Sequence, residues 1–371
     1  MEKAIPEGKS PFATEPIGRL ILKFAVPSVI ALLVNSLYNI VDQIFIGWGV
    51  GYLGNGATNI VFPITIVALA LAMMIGSGGA AFLSLKLGEG QVDTARKGVG
   101  NAVSLVVIVS IVLAAVFLLF INPILTLFGA TDVLRPYALS YGRIIGVGLP
   151  FMMISGAINS MVRADGSSKF AMFSMVIGAI LNVILDPVFI FVFHMGVEGA
   201  AIATVIGQVA SFVVSIAYMP RFKSVRLTKP AFRPSARTCG SIVTFGLSSF
   251  ITQFAITIVM ALTNNLLAVY GAASIYGAEI PLTGFQTMAA VYLQAVGKPV
   301  KSAILSLARQ ITFFVPAALI LPQFFGVVGV LWTGLVADGL AFVLSLALLL
   351  HENHHLKKSH AAQLADNGRA E

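Results

Sequence analysis

Three carboxylates stand inside stretches that are otherwise apolar: Asp42, Asp186 and Asp338. An ionisable group in that setting is costly, so each marks a candidate functional position. Asp42 closes a stripe with Asn35, Tyr38 and Asn39, whose spacings of three and four place all four on one helical face. Asn182 and Asp186 are four apart and share a face of a second helix, and Thr204 lies on the helix after it. Counted from the outer helix ends, Asp42, Asn182, Asp186 and Thr204 come to depths of about 8–17 Å at a rise of ~1.5 Å per residue. Such similar depths are what one shared site requires. Two carboxylates, an amide oxygen and a hydroxyl suit a hard cation such as Na+, or a proton shared between the acids. The amide and hydroxyl could equally serve as hydrogen bonds between helices and nothing more.

The elements that hold these groups follow from composition. Of 371 residues, 58% are apolar and 10% charged, and the mean hydropathy is +0.94. That is too little polar surface to coat a water-soluble globule. An all-α polytopic membrane protein is indicated, because lipid leaves helices or closed barrels as the ways to satisfy spanning backbone. Apolar runs of about 20 residues, rather than the ~10-residue alternating segments of a barrel, decide for helices. Ten transmembrane helices are predicted, near 20–46, 58–85, 98–121, 136–162, 170–193, 197–219, 240–268, 278–296, 302–321 and 326–350. Glycines at 47, 49, 51 and 54, the pair Asn122-Pro123, and Pro322 punctuate them. The polar N-terminus lacks the apolar core of a cleavable signal, so the first span is expected to target the membrane and remain in it.

Charge orients this arrangement. With both termini cytoplasmic, all of the 23 basic residues except Arg135 and Arg143 fall on the cytoplasmic side, as the positive-inside rule requires. The net charge of +8 then needs no nucleic-acid partner. The same count requires 278–296 to cross the membrane, although Glu279, Pro281, Gln286 and Gln294 interrupt it.

The two halves repeat with a piece missing. Pro63 of NGATNIVFPIT aligns with Pro281 of AASIYGAEIPLT, Gly166 with Gly297, and GVEG (196–199) with GVVG (326–329). The 103 residues from Pro63 to Gly166 therefore correspond to 16 from Pro281 to Gly297, an internal shortening of 87 residues. Three spans of the first half are replaced by one composite segment joined near Thr283-Gly284, which gives six helices plus four. The domains are a six-helix lobe (1–219), a basic linker (220–239), and a shortened second lobe with a tail (240–371). Asp338 aligns with Gln208 rather than with an acid, and no basic residue accompanies it within its span. A role for these two in a substrate cavity, drawing in a cationic molecule, is the expectation. Pro27 can bend the first helix.

Other features carry less. Cys239 stands alone, so it forms no internal disulfide and no cysteine metal site. HENHHLKKSH (351–360) reads as a solvated basic tail, and GSGGAAF (76–82) lacks the GK[ST] of a phosphate loop. No Ser/His/Asp set has usable spacing, so an enzyme is not expected.

These residues resemble the multidrug and toxic compound extrusion (MATE) transporters, in particular their DinF-like branch. The carriers are Pro27 and Asp42 in the first span, RADGSSK (163–169), Asn182 with Asp186-Pro187, and GVEGAAIAT (196–204). The resemblance implies a two-lobe parallel-repeat transporter in the bacterial inner (plasma) membrane, without an organic cofactor. It implies a monomer that exports cationic or amphiphilic small molecules in exchange for Na+ or H+. It also implies a cation site at Asp42, Asn182, Asp186 and Thr204, with Tyr38 beside it and the helix bend at Pro27. Two other readings stay open: an internally deleted remnant that no longer transports, and a flippase for a lipid-linked saccharide. The second calls for a basic cavity, which these spans do not supply.

Overall fold

The computed structural model describes residues 27–270 and 301–367, except for 28, 29, 32, 33, 35, 36, 40, 302, 303, 306 and 307. Asn35 and the composite span 278–296 lie outside the described residues. Among those described there is no strand. The chain divides into two compact units, Met1–Val243 and Thr244–Glu371.

In the first unit, helix α1 covers 41–49, preceded by helical residues at 27, 30, 31, 34 and 37–39. Gly51, at φ 78, makes the turn into α2 (Tyr52–Gly88), a left-handed conformation that glycine adopts without steric cost. The helix thus starts in the middle of the glycine run and continues through Gly54 and Gly56, earlier than the sequence suggested. Gly54 is needed there because a Cβ would press on Ile46 of α1 and on Val50 just after it. α3 (Val92–Leu119) gives way to a short α4 (Ile121–Leu127). Asn122-Pro123 falls inside α4's first turn, where a missing N–H is tolerated. Next come α5 (Arg135–Ala164), α6 (Ser168–Pro187) with a π turn at Val188–Val192, and α7 (Gly196–Ala217). Five described helices are long and apolar enough to cross a membrane: α2, α3, α5, α6 with its π turn, and α7.

α5 is the centre of this unit, packing on α2, α3, α6 and α7. Its apolar face (Ile145, Leu149, Met153, Ile158 and Met161) is essentially inaccessible. Outward positions on α3, such as Ile111, Val112 and Leu119, are large and exposed, as a lipid-facing surface demands. Hydrophobicity gives little drive between helices in lipid, so close approach through small residues does the work. A Cβ on Gly76 of α2 would strike the Ala157 backbone of α5.

In the second unit, α8 (Ala236–Tyr270) begins before the boundary, and a π turn at Ala308–Phe314 leads into α9 (Val315–Asn367). The helical bonding of α9 is continuous, yet it doubles back. In a straight helix Arg309 and Asp338 would be about 43 Å apart at ~1.5 Å per residue, but they form an ion pair. Phe314 and Ala318 also pack on Ala337. The reversal lies between Leu321 and Gly329, where a Cβ on the glycine would overlap the Leu321 carbonyl. Pro322 supplies the break, since it cannot donate the backbone hydrogen bond of a helix interior.

Candidate functional site

α6 and α7 are joined by a seam of small polar residues. Ser174, Gly178, Asn182 and Asp186 recur every four residues on α6 and face Ser215, Ser211, Gly207 and Thr204 on α7. Ser174 Oγ donates to the Ser211 carbonyl and Ser211 Oγ donates to the Ser174 carbonyl, both at 2.9 Å. One turn on, the backbones touch: a Cβ on Gly207 would lie 2.6 Å from the Gly178 carbonyl oxygen. That approach lets Asn182 reach Thr204 across the helices. Asn182 Nδ2 donates to Thr204 Oγ1 and to Asp186 Oδ1, each at 3.2 Å.

Helix α1 brings the second acid. Ile46, one turn beyond Asp42, is fully buried against Ile190 of the π turn and Ala200 of α7. Gly49 leaves room for Ile190 to pass, and Phe45 meets Phe191 edge-on at 6.2 Å. The π turn begins directly after Asp186-Pro187, a placement common at functional sites. Asp42 is 7% exposed and Asp186 and Asn182 less still. The Asp42 and Asp186 carboxyl groups lie within hydrogen-bonding reach of each other. Asp42 Oδ2 accepts from Gln43 Nε2 at 3.2 Å, and Gln43 Oε1 accepts from Thr58 at 3.2 Å.

Three oxygens at this point are buried without a donor among the described residues: Asp42 Oδ1, Asp186 Oδ2 and Asn182 Oδ1. Ionised carboxylates and an amide oxygen only accept. An arrangement of three buried acceptors is completed by a cation or by a proton on one acid. The donor set is all oxygen, which suits a hard monovalent ion. Among the described residues no cluster of three or more His, Cys, Asp or Glu occurs.

The remaining sequence candidates are placed as follows. Pro27 is helical and buried, Tyr38 is half-buried and Asn39 is exposed. Gln208, one turn from Thr204, lies against Gly148 of α5 with its Oε1 buried and without a donor. Asp338 is not the lone acid that the sequence suggested. Arg309 Nε donates to Asp338 Oδ1, and the acid's side chain is 1% exposed. The span-by-span search missed this pair because its two residues meet only where the chain doubles back. Sequence reasoning also missed Tyr141, buried on α5 within electrostatic reach of Asp42, Asp186 and Tyr38. No spacing links it to either acid. Gln43 and Thr58 were missed for the same reason.

The MatE family model matches residues 27–188, a stretch that carries Asp42, Asn182 and Asp186. Over that stretch the chain is similar to the MATE family. It is also similar to the FAD transporter of Shewanella oneidensis, 28% identical over 221 residues, or 58% of this chain and 48% of that protein. The multidrug export protein MepA of Staphylococcus aureus is 24% identical over 277 residues, or 74% of this chain and 61% of that protein. The chain thus spans about half to three-fifths of the length of these curated relatives. A solved structure of MATE in complex with MaD3S matches with a TM-score of 0.84 at 22% identity, covering 92% of this chain and 97% of that one. The relatives are named as transporters, not enzymes.

Proposed function

We propose that this chain exports small cationic or amphiphilic molecules, each cycle driven by one Na+ or H+ moving inward through the α1–α6–α7 site. It works by alternating access, as a monomer in the bilayer of the bacterial plasma membrane, with both termini cytoplasmic and no organic cofactor. The observation that carries this reading is the trio of buried acceptor oxygens on Asp42, Asn182 and Asp186 that no donor among the described residues satisfies. Asn182 and Thr204 bridge two helices at that point, so filling or emptying the site acts directly on their seam. A ligand shifts a conformational equilibrium only through its differential affinity for the two states, and a site spanning three helices supplies that difference.

The test is dye efflux from liposomes holding the purified chain, with Na+ and pH gradients imposed separately and ethidium as the cationic probe. Efflux under one gradient, and its loss in Asp42→Asn and Asp186→Asn at unchanged expression, is the expected result. Wild-type efflux that these variants retain would remove the assignment. The coverage of 48% and 61% of the curated relatives favours a second reading, in which ion binding survives without transport. That reading is met if neither gradient drives efflux while Na+ or protons still raise the melting temperature of the wild type and not of Asp186→Asn.

A further inference from the structure

The segment between α7 and α8 is a strap fastened at both ends. At one end Asp165, 5% exposed in the α5–α6 turn, accepts hydrogen bonds from Tyr218 Oη at 2.7 Å and from the backbone N–H groups of Lys223 and Ser224 at 2.8 Å. The Ser224 hydroxyl donates to the same carboxylate. At the other end Asn101 of α3, 2% exposed, donates to the carbonyls of Ala231 (3.1 Å) and Arg233 (3.2 Å) and accepts from Ser235 N–H at 2.6 Å. Ser104 Oγ donates to the Phe232 carbonyl at 2.7 Å. Gly100 lets the strap lie directly on α3, since a Cβ there would overlap the Ala231 carbonyl. Phe222, Val225 and Ala231 are buried beneath it.

What the strap turns outward is charge of one sign. Arg221, Lys223, Arg226, Lys229, Arg233 and Arg237 are all exposed, and no Asp or Glu occurs between 220 and 239. Among the described residues, Glu89 pairs with Lys86, Asp93 with Arg96, and Asp165 with the strap backbone. The strap leaves a membrane-spanning helix at Arg221 and enters α8 at Ala236, so it lies at the boundary between lipid and water. Cations clustered beside a span attract anionic headgroups, and guanidinium and ammonium groups form short charge-assisted bonds to phosphate. Backbone already fixed by two buried polar clamps need not be ordered on binding, which strengthens the interaction.

We infer that residues 219–239 form a preformed binding surface for the phosphate headgroups of anionic phospholipids in the adjoining leaflet. This rests on the membrane placement of the helices and not on the transport reading. The test uses the full chain, delipidated in detergent, with phosphatidylglycerol or phosphatidylcholine added and the lipids retained counted by native mass spectrometry. Phosphatidylglycerol is expected to be retained with about tenfold preference or more, given several cations near the headgroup plane. Arg226→Gln/Lys229→Gln/Arg233→Gln loses most of that preference. Gly100→Leu, which keeps every cation but lifts the strap from α3, loses part of it. If the triple variant does not fold, 1 M salt on the native chain gives the same readout, because screening at that strength reaches about 3 Å. Equal retention of the two lipids overturns the inference, as does a preference untouched by the variants or by salt. Competition by millimolar inorganic phosphate as effective as that of the lipid also overturns it, in favour of a soluble phosphate site.

Discussion

Asn182 ties one of the two acids to the neighbouring helix. Its amide nitrogen holds Asp186 and Thr204 together, which leaves its buried oxygen without a donor among the described residues. Asn182→Leu removes the donor to Asp186 and, with it, the acceptor proposed for the ion. Leaving a buried polar group without its partner costs about 1–3 kcal/mol, so a lower melting temperature is expected, and stabilisation by Na+ or by protonation disappears with it. Tyr141→Phe separates packing from electrostatics, because only the hydroxyl within electrostatic reach of Asp42 and Asp186 is lost. Its expected signature is a changed ion dependence of efflux with a melting temperature close to that of the wild type. A melting temperature that falls as far as in Asn182→Leu would make Tyr141 a packing residue only.

At the scale of elements, the seam between α6 and α7 and the reversal in α9 make separate claims. Gly207→Val would drive a side chain into the Gly178 carbonyl and part the helices that carry Asn182 and Thr204. Overpacking of this kind costs about 1–3 kcal/mol, and loss of ion-dependent stabilisation should exceed the loss expected from stability alone. In α9, Arg309→Met leaves Asp338 buried without its partner, a change that costs about 3–5 kcal/mol in a buried pair. Arg309→Met/Asp338→Leu together should recover most of the thermal stability. If the double variant remains as unstable as the single one, the pair does more than neutralise itself. Of the four-residue recurrence of Ser174, Gly178, Asn182 and Asp186, only the Asn182–Asp186 step was read from the sequence. Its partner was not, because Thr204 breaks the interval on α7 and no local rule pairs two helices residue by residue.

For the whole molecule, the strap and the internal repeat read from the sequence each carry a test. Asn101→Ala frees the strap from α3, and trypsin should then cut within 221–237 several-fold faster than in the native chain. Equal rates would mean that the apolar anchors alone hold it. Inserting a three-helix segment between Thr283 and Gly284 tests the internal repeat directly. Gain of efflux is expected if the native chain is transport-inactive, and no gain if the single composite span suffices.

The helical membrane class, the reversal near Pro322 and the candidate set of Asp42, Asn182, Asp186 and Thr204 could be read from the chain alone. Each depends on local facts: apolar run length, a residue that cannot donate a backbone bond, and the helical period. The tertiary structure decided which of those groups meet. It turned Asp338 from a free acid into half of an ion pair, brought Tyr141 to the acids from a helix with no sequence link to them, and made a tether of 220–239 into a clamped surface. Contacts of that kind depend on how closely particular backbones approach, and approach is set by small residues on two chain segments at once, which no single stretch of sequence encodes.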